Sequence, residues 1–142
     1  MTRIEDSIEI KTDHEKLSQY LMDPKNLPDY LPISDIQMLE TTEDSAKFRN
    51  KMTAAGRTME AVCEMKTVEK NKTVTFKTLE GMKVEGTWGL EPTEKGIRLS
   101  ITVDYEPPGW IFGWIIDALM MKKELRKTYS EALLKLKKTL GT

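Results

Sequence analysis

The chain has one cysteine and one histidine in 142 residues. A single cysteine excludes a disulfide framework, and a single histidine excludes the common zinc sites. No apolar stretch follows a basic start in MTRIEDSIEI, so no signal peptide is expected, and a cytoplasmic chain is. Low-complexity tracts, internal repeats and Gly/Ser linkers are absent as well. That leaves no ground for a boundary and predicts one domain over residues 1–142. An excess of one charge is also lacking: 22 basic and 23 acidic residues leave a net −1. Such balance argues against nucleic acid as the main partner. What remains, 39% hydrophobic and 32% charged residues, is the profile of a globular protein rather than a disordered one.

The charge that exists is uneven. From Asp117 onward there are seven basic and three acidic residues, a net +4 against −5 for the rest.

A first strand is expected at Arg3–Lys11, with Ile4, Ile8 and Ile10 on one face; Asp6 shares their parity and conflicts with it. Thr12 and Glu15 have the spacing of a capping box, and Leu17, Tyr20 and Leu21 form the stripe of the helix that follows. Pro24 ends that helix. A short second helical piece lies within Lys25–Leu31. From Ser34 to Pro107 the hydrophobic period is two, broken by turn signals at Thr42–Ser45, Ala55–Gly56, Lys70–Lys72, Glu80–Gly81 and Pro92–Gly96. This reads as an antiparallel meander with one face wet and one covered. A long helix is expected from about Trp110 to Leu140, roughly 45 Å at ~1.5 Å per residue, with Leu125, Tyr129, Ala132 and Leu136 in its stripe. It is the only element long enough to cover the sheet.

This order of elements resembles the helix-grip superfamily, which includes START-type lipid-transfer domains and the polyketide cyclase/dehydrase and lipid-transport proteins. The local text is similar too: Ile8-Glu9-Ile10, then Asp13, Glu15, Leu17, Tyr20, Leu21, Asp23-Pro24, Leu27-Pro28, Tyr30 and Pro32, and the ending Leu133–Lys137. Within the superfamily, the apolar start of the last helix is most similar to the group of accessory proteins associated with carbon monoxide dehydrogenase. The resemblance implies an α+β helix-grip fold: a curved antiparallel sheet around a long C-terminal helix, two short helices after the first strand, and a cavity between sheet and helix.

Parity places Phe48, Met52, Met59, Cys63, Met65, Phe76, Trp88, Ile101, Val103 and Tyr105 on the covered face. Each is an ordinary core residue taken alone. Together with nine methionines, several of them on this face, they point to a pocket for a flexible apolar ligand. Asn50 and Thr78 share the parity and are polar. They read equally as strand hydrogen-bonding groups and as orienting contacts for one polar group on a ligand. Ile115 and Leu119 are candidates for the helix side of the same site. Cys63 reads as a small hydrophobe and His14 as solvated. No triad, carboxylate pair, phosphate loop or metal cluster is visible, and no cofactor is implied. Acid–base chemistry, if any, would fall to Asp6, Glu80 or Tyr105.

The segment Gly109–Met121 is apolar around a whole helix, with Asp117 its single charge, yet is too short for a bilayer. Phe112, Ile116 and Met120 are either covered by their own chain or meet a second copy or a membrane surface. Lys122, Lys123, Arg126 and Lys127 follow, an order that suits anionic lipid and equally suits a helix C-terminus. The expected function is binding of a hydrophobic small molecule or lipid. The alternatives are an enzyme of the cyclase/dehydratase kind, or an accessory protein that presents the Trp110–Met121 surface.

Overall fold

The structure, a computed structural model, describes residues 2–54, 56–106 and 118–141. Seven strands form one sheet: β1 Thr2–Ile10, β2 Ile33–Thr41, β3 Ser45–Ala54, β4 Arg57–Glu69, β5 Thr73–Glu80, β6 Lys83–Thr93 and β7 Gly96–Glu106. Helix α1, His14–Met22, and a 3-10 helix, Pro24–Asp29, lie between β1 and β2; helix α2, Ala118–Leu140, follows β7. The strand order in the sheet is β1-β7-β6-β5-β4-β3-β2, and every neighbouring pair is antiparallel. This is the α+β helix-grip arrangement. The part of the expected last helix from Trp110 to Asp117 lies outside the described residues.

Alternation fixes which side chains face inward. Ile4, Val84, Trp88, Leu99, Ile101 and Val103 are all buried on the inner face. The sheet bends where alternation fails. Register shifts interrupt β2–β3 between Ser34 and Gln37 and again between Met38 and Glu40, and β4–β5 between Val62 and Cys63. Each shift adds local twist and bends its strand. At the β4 shift Ala61, Val62 and Cys63 are buried in succession, so Val62, expected to face outward, is covered.

The cap of α1 differs from the capping box expected at Thr12. Asp13 is the N-cap, and its carboxylate accepts from the Lys16 amide at 2.8 Å. The cap is therefore one residue later and serves the Lys16 amide in place of the Glu15 amide, while the Thr12 amide donates to the Ile10 carbonyl. Asp23 caps the 3-10 helix by accepting from the Lys25 amide, with Pro24 opening it.

Helix α2 buries Met121, Tyr129, Ala132, Leu133 and Leu136, which recur at helical spacing. Of the strands it packs chiefly on β1. There the parity of Asp6 finds its reason: its carboxylate accepts from the Ser130 hydroxyl at 2.6 Å, tying α2 to β1. The helix therefore meets the sheet closely at the β1 side.

Candidate functional site

Where α2 and the sheet diverge, the interior is incompletely filled. One cavity of about 50 Å³ is walled by Leu27, Leu31, Ile33, Phe48, Asn50, Met52, Cys63, Met65, Phe76, Thr78, Val84, Trp88 and Tyr129, with Lys77 at its edge. A second, of about 30 Å³, is walled chiefly by Leu31, Ile33, Met52, Met82, Val84, Val103, Tyr105, Leu125 and Tyr129. Leu31, Ile33, Met52, Val84 and Tyr129 belong to both and form the partition between them. The walls are almost wholly apolar.

The aromatic wall is continuous. Trp88 stands edge-on to Tyr30, with ring centres 6.2 Å apart, and meets Phe76 at 6.3 Å. Tyr30 in turn meets Tyr20 of α1 at 6.1 Å. Phe76 fits because its partner across the β5–β6 ladder is Gly86: a Cβ there would collide with the Phe76 ring. The segment that carries Leu31 is held over the cavity by short backbone bonds. The Leu31 amide donates to the Leu27 carbonyl at 2.9 Å, and the Thr53 amide to the Pro32 carbonyl at 3.0 Å.

Polar groups on this wall are few. The Thr78 hydroxyl accepts from the Val84 amide at 3.0 Å. This extends the β5–β6 pairing beyond its last ladder pair, Lys77 with Glu85, so the hydroxyl is committed to the sheet. Asn50 is 1% exposed and donates through Nδ2 to Cys63 Sγ at 3.3 Å, while its Oδ1 has no partner. Burial pushes the Cys63 thiol up, with the Asn50 hydrogen bond opposing, so the thiol stays protonated. Burial likewise raises Tyr129, with Cys63 adding to it, and raises Tyr30 and Tyr105. These phenols are neutral donors at ordinary pH. The Tyr30 hydroxyl is buried and has no partner.

Several expected site residues lie elsewhere. Met59 is half-buried near the turn end of β4, opposite Met52 in register, and lines neither cavity. Ile101 is 1% exposed and lines neither; its neighbour Trp88 on β6 lines the larger cavity, while its neighbour Asp6 on β1 is tied to α2 through Ser130. Leu119 is 59% exposed, so its side chain does not point into the interior. Ile115, Phe112 and Ile116 lie outside the described residues. Met120 is 62% exposed. Of the acid–base candidates, Asp6 is engaged by Ser130, Glu80 is exposed at the end of β5, and Tyr105 lines the smaller cavity. Leu27, Leu31, Ile33, Val84 and Tyr129 line the cavities without being expected site residues. Two of them carry a signal in the sequence: Val84 shares the inward parity of Trp88, and Tyr129 is a polar tip within the helix stripe that faces the sheet.

A wider recess of about 400 Å³ lies on the outer face. Its charges answer one another: Arg3 with Asp104 at 2.8 Å, and Lys66 and Lys77 with Glu64 at 3.5 and 3.9 Å. It offers no enclosed apolar wall. The inner cavities are the better site.

The fold recurs in solved structures. The Zhui aromatase/cyclase from a Streptomyces species superposes with a TM-score of 0.81 at 12% identity, over 97% of this chain and 92% of that one. A START superfamily protein from Mycobacterium smegmatis gives 0.80 at 14% identity, over 97% and 96%. A Thermus thermophilus protein gives 0.76 at 20% identity, over 95% and 97%. At these identities the likeness is one of fold. Curated proteins provide no match. Among the described residues no helix is long and apolar enough to cross a membrane. The sequence itself matches a family profile from residue 1 to residue 141, and the chain belongs to that family, polyketide cyclase / dehydrase and lipid transport.

Proposed function

We propose that this chain binds an apolar small molecule or lipid in the space between the inner face of the sheet and α2. The observation that carries the reading is the pair of adjoining apolar cavities, about 50 and 30 Å³, divided by a partition that includes Met52. Each now holds no more than a few water-sized volumes, and a ligand site is typically ~300–1,000 Å³. The partition must therefore move when a ligand enters. Met52 suits that role, being unbranched and only half-buried. Phe48, Cys63, Phe76 and Trp88 would contact a ligand in the larger space, and Val103 and Tyr105 in the smaller. A cytoplasmic location belongs to the same proposal.

A cyclase-type reaction is the second reading. Of the three acid–base candidates it has only Tyr105 on a cavity wall. Surface association, as a homodimer or on a membrane, is a separate and weaker reading. It rests on exposed Met120 beside exposed Lys123, Arg126 and Lys127.

The test is a variant that keeps only Trp88, with Trp110→Phe and Trp114→Phe, titrated with fatty acids and polyaromatic compounds. Trp88 emission should change, because the ring lines the larger cavity. Adding Met52→Ala should join the two spaces and extend binding to bulkier members of the series. Emission that stays flat across the library in both variants overturns the reading.

A further inference from the structure

We infer that the ligand carries a hydrogen-bond donor, a hydroxyl or N–H group, that is received by the amide oxygen of Asn50. This rests on the reading that the interior binds an apolar molecule, and it narrows the class of that molecule.

Asn50 is the buried polar side chain on the inner face of β3, between Phe48 and Met52 along its strand and opposite Ala61 across it. The small Ala61 leaves the amide uncrowded from that side. Its Nδ2 is spent on Cys63 Sγ. Its Oδ1 has no partner and lies in a residue on the wall of the larger cavity. A buried acceptor left unmade is costly, and native proteins rarely keep one. The neighbouring polar groups do not relieve it: the Thr78 hydroxyl is committed to Val84, and the Cys63 sulfur receives the amide nitrogen. An apolar residue of similar size would fill the position without that cost. The oxygen is thus an acceptor held open in an apolar wall, the arrangement that orients a ligand.

The inference predicts a sign and not merely a size. In a wholly apolar cavity a ligand hydroxyl loses affinity, since it leaves water and finds nothing. Beside an unpaired acceptor it gains. Naphthalene, 1-naphthol and 1-methoxynaphthalene share one ring system and differ only in this group. Each is titrated into the full chain, and occupation is read from the methyl NMR signals of Met52 and Met65, both on the wall.

1-Naphthol should bind about tenfold more tightly than naphthalene, and 1-methoxynaphthalene should gain nothing. Asn50→Leu should reverse the order, read as the ratio of the 1-naphthol to the naphthalene affinity within that variant. Naphthalene equal to or tighter than 1-naphthol in the natural protein overturns the inference, while the apolar-ligand reading stands. So does a preference for 1-methoxynaphthalene, which needs a donor in the wall. If none of the three moves either methyl signal, the apolar-ligand reading fails and the donor anchor with it. The ranking in the natural protein decides the matter even if Asn50→Leu fails to fold.

Discussion

The two sides of the interior are built from different side chains. On the side of β1, β7 and α2 the core is Ile4, Ile10, Leu99, Ala132, Leu133 and Leu136, none more than 2% exposed. Five of the six are branched aliphatic residues, and none of the six lines either cavity. On the side of β3, β4 and β5 the wall is Phe48, Met52, Cys63, Met65 and Phe76, and the space stays partly unfilled. The first side holds the helix against the sheet, and the second leaves room between them, a space that extends to Val103 and Tyr105 of β7 and Leu125 of α2 in the smaller cavity. Mutation should cost stability on the first side and change binding on the second. A closely packed aliphatic core has few alternative packings. Methionine and aromatic rings can shift to accept a guest.

The largest effect is expected on the filled side. Leu99 is fully buried in β7, opposite Ile8 of β1 and Leu90 of β6. Leu99→Ala should lose about 3 kcal/mol of unfolding free energy, because little around it can relax into the void. Chemical denaturation measures this directly. Its apolar-ligand affinity, corrected for the folded fraction, should be unchanged. A loss no greater than that of Met52→Ala would erase the distinction between the two sides.

A smaller and differently placed effect is expected at Gly86. The position belongs to the inner face of β6 but lacks a side chain, and the ring of Phe76 occupies the space. Gly86→Ala must push that ring aside, at about 1–2 kcal/mol of strain, and into the larger cavity beside it. Affinity for 1-naphthol should fall by about tenfold. Gly89→Ala is the control. A Cβ there meets the Ser100 hydroxyl, a group that can rotate away, and neither residue lines a cavity. If both variants bind alike, Phe76 is not the wall of the site.

How much of this was legible in the sequence follows from what each pattern encodes. Period-two alternation carries the face of each strand, so the inner positions of β3, β5, β6 and β7 could be read directly. It carries nothing about height along the strand or about where a helix approaches. Met59 and Ile101 therefore share the face of Phe76 and Trp88 without sharing their cavity. Alternation also fails at a bulge, which is why Val62 reads as outward and is buried. The unpaired oxygen of Asn50 was legible only as a polar residue of inward parity. Its significance depends on Thr78 being committed elsewhere, a fact of three-dimensional pairing. The conflict of Asp6 with its apolar neighbours was visible, but its resolution by Ser130 spans 124 residues. Leu31 and Ile33 flank Pro32 at the entry to β2, before the stretch from Ser34 in which the alternation is read.

The smallest effect concerns how the filled side is held at its edge. Arg3 and Asp104 face each other in the β1–β7 register, and the guanidinium grips both carboxylate oxygens, Nε to Oδ1 at 2.8 Å and Nη2 to Oδ2 at 3.0 Å. The Arg3 hydrogen bond and charge hold the Asp104 carboxyl below its ordinary 3.8, against an opposing effect of desolvation. A carboxyl whose pKa is depressed by folding binds fewer protons in the native state than in the unfolded one. Its contribution is complete above the unfolded value and is lost as pH falls through the depressed folded value. Asp104→Asn should therefore lower Tm by about one degree at pH 7, since the pair is open to solvent. The gap should narrow as pH drops below about 4 and close in strong acid. Added salt at pH 7 should shrink it as well. A gap that persists in acid would mean that charge is not its cause, and one larger than that of Leu99→Ala would mean that the edge is held by charge. Packing against α2 predicts the opposite: the β1–β7 seam survives the loss of the pair because Ile4, Ile10 and Leu99 lie buried beneath it.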